Sequence, residues 1–175
     1  KSLGAVPSST VGYERITNWA LRIDNEEEFV SELLDGQPEP PKYFAMMKKL
    51  NKVGPTVLGG IPHPARLTLR QFEEAVNQGV TVVDTRDKLA FAGGHVPESL
   101  NIQDNNAFST WAGWMLSYEK PFLLVAADSR IEDLTRALIR IGLDHMVGYV
   151  SDMDRIGDAG HPMRVMDQIT VEELY

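Results

Sequence analysis

The hydrophobic rhythm of this chain changes near residue 66. Before that point apolar residues fall at helical spacing, with Phe29, Val30, Leu33 and Leu34 on one face of an expected helix. Asp24 with Glu27, or Asn25 with Glu28, is placed to cap its start. Gly36 ends it, and Pro38, Pro40 and Pro41 block its continuation. A second helix, Lys42 to about Asn51, spreads Tyr43, Phe44, Met46, Met47 and Leu50 beyond one stripe, which predicts partners on two sides. Tyr13 to Ile23 is a mixed stretch after a lead containing Gly, Pro and Ser. Gly54 to Pro64 holds three prolines and three glycines without periodicity and reads as a linker.

From residue 66 onward helical and strand patterns alternate. Thr68 and Gln71 form a capping box, with Leu67 and Phe72 as its hydrophobic staple. The helix runs to Gly79, and a buried strand Val80–Val83 ends in Asp84. A small helix at Lys88–Ala92, a turn at 93–97 and a strand Ser99–Ile102 come next. Another helix places Phe108, Trp111, Ala112 and Met115 on one face, so Phe108 and Trp111 read as core and Trp114 as exposed. Strand 122–126, a polar turn, helix 131–141 closed by Gly142, and strand Met146–Val150 complete the series. Short β-branched strands separated by helices imply an α/β fold with a parallel sheet covered on both faces. The expected division is a helical segment 1–53, a linker 54–65, an α/β domain 66–163 and a new beginning at 164–175. That last segment, Ile169-Thr170-Val171-Glu172-Glu173-Leu174, repeats the pattern of Leu67–Phe72: apolar, Thr cap, two residues, Glu or Gln, apolar.

Charge and composition narrow the function. A net charge of −8 argues against a nucleic-acid partner or an anionic membrane surface. Lys48, Lys49 and Lys52, the one basic cluster, read as a solvated helix face. No apolar run approaches the ~20 residues that span a bilayer. The absence of cysteine excludes disulfides and thiolate chemistry within these residues and fits a cytoplasmic protein. A chain that opens on Lys1 in mid-pattern reads as part of something longer.

Several motifs then converge. Val82-Val83-Asp84-Thr85-Arg86, followed by Phe91-Ala92-Gly93-Gly94-His95-Val96-Pro97-Glu98-Ser99-Leu100-Asn101-Ile102, resembles the rhodanese family in order and spacing. The resemblance implies a rhodanese-like three-layer domain over about 66–163. Asp84 and Arg86 would brace loops at a strand end, and His95 would sit in the family's Gly-His-Val-Pro turn. Lys1–Glu14 resembles the tail of the metallo-β-lactamase fold, in the glyoxalase-II-like and persulfide-dioxygenase-like branch that carries rhodanese domains. Thr17-Asn18-Trp19-Ala20, Pro40-Pro41-Lys42-Tyr43-Phe44 and Phe108–Trp114 fit the same fusion. That branch holds Zn or Fe through a His-x-His-x-Asp-His cluster, which this chain lacks. Any such metal would be bound by residues upstream, and no His/Asp/Glu set here has ligand spacing.

A rhodanese needs a thiolate at the start of the loop after its central strand. The resemblance places that position near Ala126, within the loop Ala126, Ala127, Asp128, Ser129, Arg130 and Ile131. Alanine cannot carry sulfane sulfur, and Asp128 is a poor sulfur acceptor. Ser129 and Glu132 are spaced as a capping box for the following helix. The expected function is therefore a non-catalytic rhodanese-homology domain, docking and positioning within a multidomain hydrolase or persulfide dioxygenase of sulfur metabolism. The alternatives are a stand-alone sulfurtransferase or phosphatase-like enzyme with a replaced nucleophile, and an interaction module unrelated to sulfur. Expected partners are the chain's own metallo-β-lactamase-like domain and a second rhodanese repeat. The apolar N-terminal helices also predict a homo-oligomer.

Overall fold

The computed structural model describes residues 8–174, so the motif residues 1–7 and Tyr175 lie outside the described residues. Contacts divide the chain into two compact units, one ending at Pro40 and the other beginning at Pro41.

The first unit holds α1 (Val11–Thr17), a 3-10 turn (Trp19–Arg22) and α2 (Glu26–Leu34). Thr10 caps α1 by accepting the Tyr13 N–H at 3.2 Å. Asn25 caps α2 by accepting the Glu28 N–H at 3.0 Å, which selects the second of the two expected caps. Trp19 stacks on Phe29 with ring centroids 6.0 Å apart. No residue of these helices is buried, and Ile16, Leu21, Leu33 and Leu34 are exposed.

The second unit runs α3 (Lys42–Val53), α4 (Leu69–Asn77), β1 (Thr81–Asp84), α5 (Lys88–Gly93), β2 (Leu100–Asn101), α6 (Phe108–Met115), β3 (Phe122–Val125), α7 (Ile131–Ile139), β4 (Met146–Val150) and α8 (Met153–Asp158). The four strands are parallel, in the order β2-β1-β3-β4. Alternation along each strand supplies two cores, one per face. Val83, Phe122, Leu124 and Tyr149 pack with Phe108, Ala112 and Leu116 of α6 and Leu134 and Leu138 of α7. Val82, Leu123, Val125 and Val150 pack with Phe72 of α4 and Met153 and Ile156 of α8. The result is the expected α/β fold in three layers. At the start of α4 the Thr68–Gln71 capping box is complete, both groups accepting the other's backbone N–H.

The structure departs from the sequence expectations at three places here. Helix α3 makes its contacts on one side, against α6, and leaves Phe44 exposed, so it is not enclosed by two partners. Its seat is two glycines: a Cβ on Gly113 would lie 2.5 Å from Tyr43 Cδ1, and one on Gly142 would lie 2.7 Å from Leu50 Cδ1. Beside it the Tyr118 hydroxyl donates to Ile141 O at 2.9 Å, and burial pushes its pKa up to about 12. Second, the contact division falls at Pro40/Pro41, so α3 belongs to the same compact unit as the α/β domain. Third, Trp111 is 57% exposed, whereas Trp114 is half-buried. The core stripe of α6 runs through Phe108, Ala112, Gly113 and Leu116, which turns Trp111 and Met115 onto its flank. No helix among the described residues is long and apolar enough to cross a membrane.

Candidate functional site

Parallel sheets present their loops at the carboxyl ends of the strands, where ligands of such folds bind. Here that rim is built from Asp84 at the end of β1, Asn101 at the end of β2, the 126–131 loop after β3 and Ser151 after β4.

Asp84 is 1% exposed, and its charge is met by a fork from Arg86. Arg86 Nε donates to Oδ1 at 3.0 Å and Nη2 to Oδ2 at 2.7 Å, while Nη2 also donates to Gly94 O at 2.7 Å. A buried carboxylate needs such a bidentate partner. Asn101 Nδ2 donates to the carbonyls of Asp84 and Arg86, both at 3.0 Å, which ties β2 to the same corner. His95 is buried, stacks on Phe91 at 4.0 Å, and its Nδ1 lies 2.9 Å from Phe91 O. A carbonyl only accepts, so that nitrogen carries the proton. The His95 backbone forms an antiparallel bridge with Arg164, fastening the segment after α8 under this turn. All these groups are engaged in holding loops.

The loop after β3 is short and compact. Ala126 is 2% exposed, belongs to the α6/α7 core and donates its N–H to Val150 O at 2.9 Å. Ala127 is exposed. Asp128–Arg130 then coils as a 3-10 turn, closed by the Arg130 N–H on Ala127 O at 2.9 Å, and runs into α7. This turn removes the expected Ser129–Glu132 capping box. Ser129 lies inside a helical turn rather than in the extended conformation a cap requires, and α7 has no side-chain cap. Glu132 instead pairs with Arg136 at 2.8 Å. Ile131 is half-buried against the α6/α7 core.

Both arginines near the loop face carboxylates. Arg130 forks onto Asp104 at 2.7 and 3.1 Å and reaches Asp133 at 2.6 Å. Its pKa is raised, first by the hydrogen bond to Asp104. Arg66, which the sequence reading passed over, lies 3.6 Å from Asp128 and donates to Ser151 Oγ at 2.6 Å. The phenol of Tyr149 is raised by burial and, less, by Asp128. Among the described residues no group of three or more His, Cys, Asp or Glu could hold a metal ion, so the metal implied upstream has no fitting donor set here. Chemically, the arrangement can brace a loop and offer cations to an anion, and the chain brings no thiol to it.

Comparisons with known proteins add the family. Residues 68–154 match the model of the rhodanese-like domain. The crystal structure of a metallo-beta-lactamase from Staphylococcus aureus subsp. aureus COL is similar at 36% identity and a TM-score of 0.63, over 85% of this chain and 41% of that one. A share of 85% exceeds what 68–154 supplies, so the likeness runs beyond the α/β domain into the N-terminal residues. The solution structure of a rhodanese-like domain from Anabaena sp. is similar at 15% identity and a TM-score of 0.50, over 63% of this chain and 92% of that one, and shares the fold. This chain thus spans less than half the length of the Staphylococcus protein. No curated protein matches the chain.

Proposed function

Residues 68–154 of this chain are a rhodanese-like domain, and from that premise we propose a non-catalytic role: docking and positioning within a metallo-β-lactamase-superfamily protein of sulfur metabolism. The observation that carries the reading is Ala126. The rhodanese resemblance places the nucleophile position near it, its side chain lies in the core, and the chain has no cysteine. Sulfur transfer through a persulfide requires a thiolate there, and the chain has no cysteine to supply one. Asp128 faces Arg66 and Ser151, and a carboxylate is a poor acceptor of sulfane sulfur. The likeness to the Staphylococcus metallo-beta-lactamase supports the fusion. On this reading the parent hydrolase or persulfide dioxygenase binds Zn or Fe through upstream residues, works in the cytoplasm, and continues into a second rhodanese repeat after residue 164. The reciprocal hydrogen bonds of Thr170 and Glu173, those of a capping box, support that continuation.

A thiosulfate:cyanide sulfurtransfer assay on the 175-residue chain tests the proposal. The expected result is no turnover above the uncatalysed rate. Clear turnover would mean that a replaced nucleophile works and would overturn it.

A further inference from the structure

No residue of the 126–131 loop lines any of the ligand-sized cavities described on this unit. A cleft of about 270 Å³ opens instead one strand away, between the start of α4, the end of β4 and α8. Two cations reach it from fixed backbone. Arg66 sits in a short parallel segment that extends the sheet: Leu67 N–H donates to Tyr149 O at 2.8 Å and Tyr149 N–H to Ala65 O at 3.0 Å. Gly148 permits that close approach, since a Cβ there would lie 2.7 Å from Ala65 O. Arg155 comes from the first turn of α8, and no carboxylate of the described residues lies within 4.0 Å of its side chain. Ser151 adds a hydroxyl, and Leu69 and Ile156 give the cleft an aliphatic wall.

Two carboxylates oppose an anion here, and both are engaged. Asp152 lines the cleft, but its Oδ1 accepts the Arg155 backbone N–H at 3.0 Å as the cap of α8. Asp128 stands 3.6 Å from Arg66, long for a charge-assisted bond, and both side chains are more than half exposed. Exposed pairs of that kind contribute little, so a ligand with two negative charges competes for Arg66 at small cost. Guanidinium groups present forked donors that match tetrahedral oxyanions. We infer that this cleft binds a small divalent oxyanion, of the size and charge of thiosulfate or hydrogen phosphate, between Arg66 and Arg155. The site meets the 126–131 loop through Asp128, which faces Arg66 and Ser151, but it does not use Ala126, so a chain without sulfurtransferase turnover can still carry it.

Isothermal titration calorimetry of the 175-residue chain with sodium thiosulfate, and separately with sodium phosphate, tests this at constant ionic strength. Saturable one-to-one binding of at least one anion is expected. Arg155→Gln and Arg66→Gln should each weaken it at least tenfold, Arg130→Gln should leave it unchanged, and Asp128→Asn should tighten it severalfold by releasing Arg66. The tightening cannot arise from a variant that misfolds. No saturable binding, binding that survives both arginine substitutions, or binding lost in Arg130→Gln alone would overturn the inference. The last result would place the anion at the 126–131 loop.

Discussion

Ala126 and Ala127 are neighbours with opposite surroundings. The first is packed in the α6/α7 core and the second is open to solvent. A thiol introduced at each reports on both the loop and its electrostatics. Ala126→Cys should resist iodoacetamide until the chain unfolds. Ala127→Cys should react in the folded state, with a pH midpoint at or above the ordinary thiol value of about 8.5, because Asp128 adjoins it and Arg66 and Arg130 face carboxylates. Rapid alkylation of either thiol well below pH 7 would show an activating field that these contacts do not provide. At this scale the sequence was informative about identity and poor about conformation. The missing cysteine was plain, as was the Thr68 cap, and the start of α2 was narrowed to Asp24 or Asn25, because such hydrogen bonds close within three residues. The Ser129 cap failed because a 3-10 turn at Asp128–Arg130 competes for the same backbone. Arg66 was missed because its partners, Asp128 and Ser151, lie far along the chain.

Elements show the same contrast between local and distant causes. Glycine inside a helix costs about 1 kcal/mol relative to alanine, so Gly→Ala in α5 and α6 should stabilise if propensity alone mattered. At Gly93, in α5, nothing lies within 4 Å of an added Cβ, and Gly93→Ala should raise stability by up to about 1 kcal/mol. At Gly113, in α6, the added Cβ meets Cδ1, Cγ and Cβ of Tyr43 at 2.5, 2.9 and 3.1 Å. These atoms lie near the root of the side chain, so a rotamer change does not clear them and α3 itself must shift. Overpacking of this kind costs ~1–3 kcal/mol, which outweighs the propensity gain. Urea denaturation should therefore show Gly113→Ala destabilised and Gly93→Ala not. Trp111 teaches the same lesson: its helix was predicted correctly, but the sheet and α3 chose which stripe of α6 faces inward.

For the whole molecule, the contact division at Pro40/Pro41 makes α3 part of the α/β unit even though the family match begins at residue 68. Tyr43, Met46 and Leu50 cover α6 and the Gly142 turn. Removing that cover exposes apolar surface worth about 3 kcal/mol in all, each side chain being partly buried. A chain trimmed to begin at Arg66 should melt roughly 10 °C below one that begins at Pro41, as read by circular dichroism; equal melting temperatures would show α3 to be dispensable. The sequence by itself determined the parallel α/β plan, the corner of Asp84, Arg86 and His95, and the lack of any thiol in the chain. Each follows from short-range periodicity, from the residue type at a position the motif fixes, or from composition. Only the tertiary structure decided where α3 belongs, which face of α6 is wet, and that two arginines 89 positions apart flank one cleft. Those outcomes depend on packing between segments distant in sequence, where no local pattern records the partner.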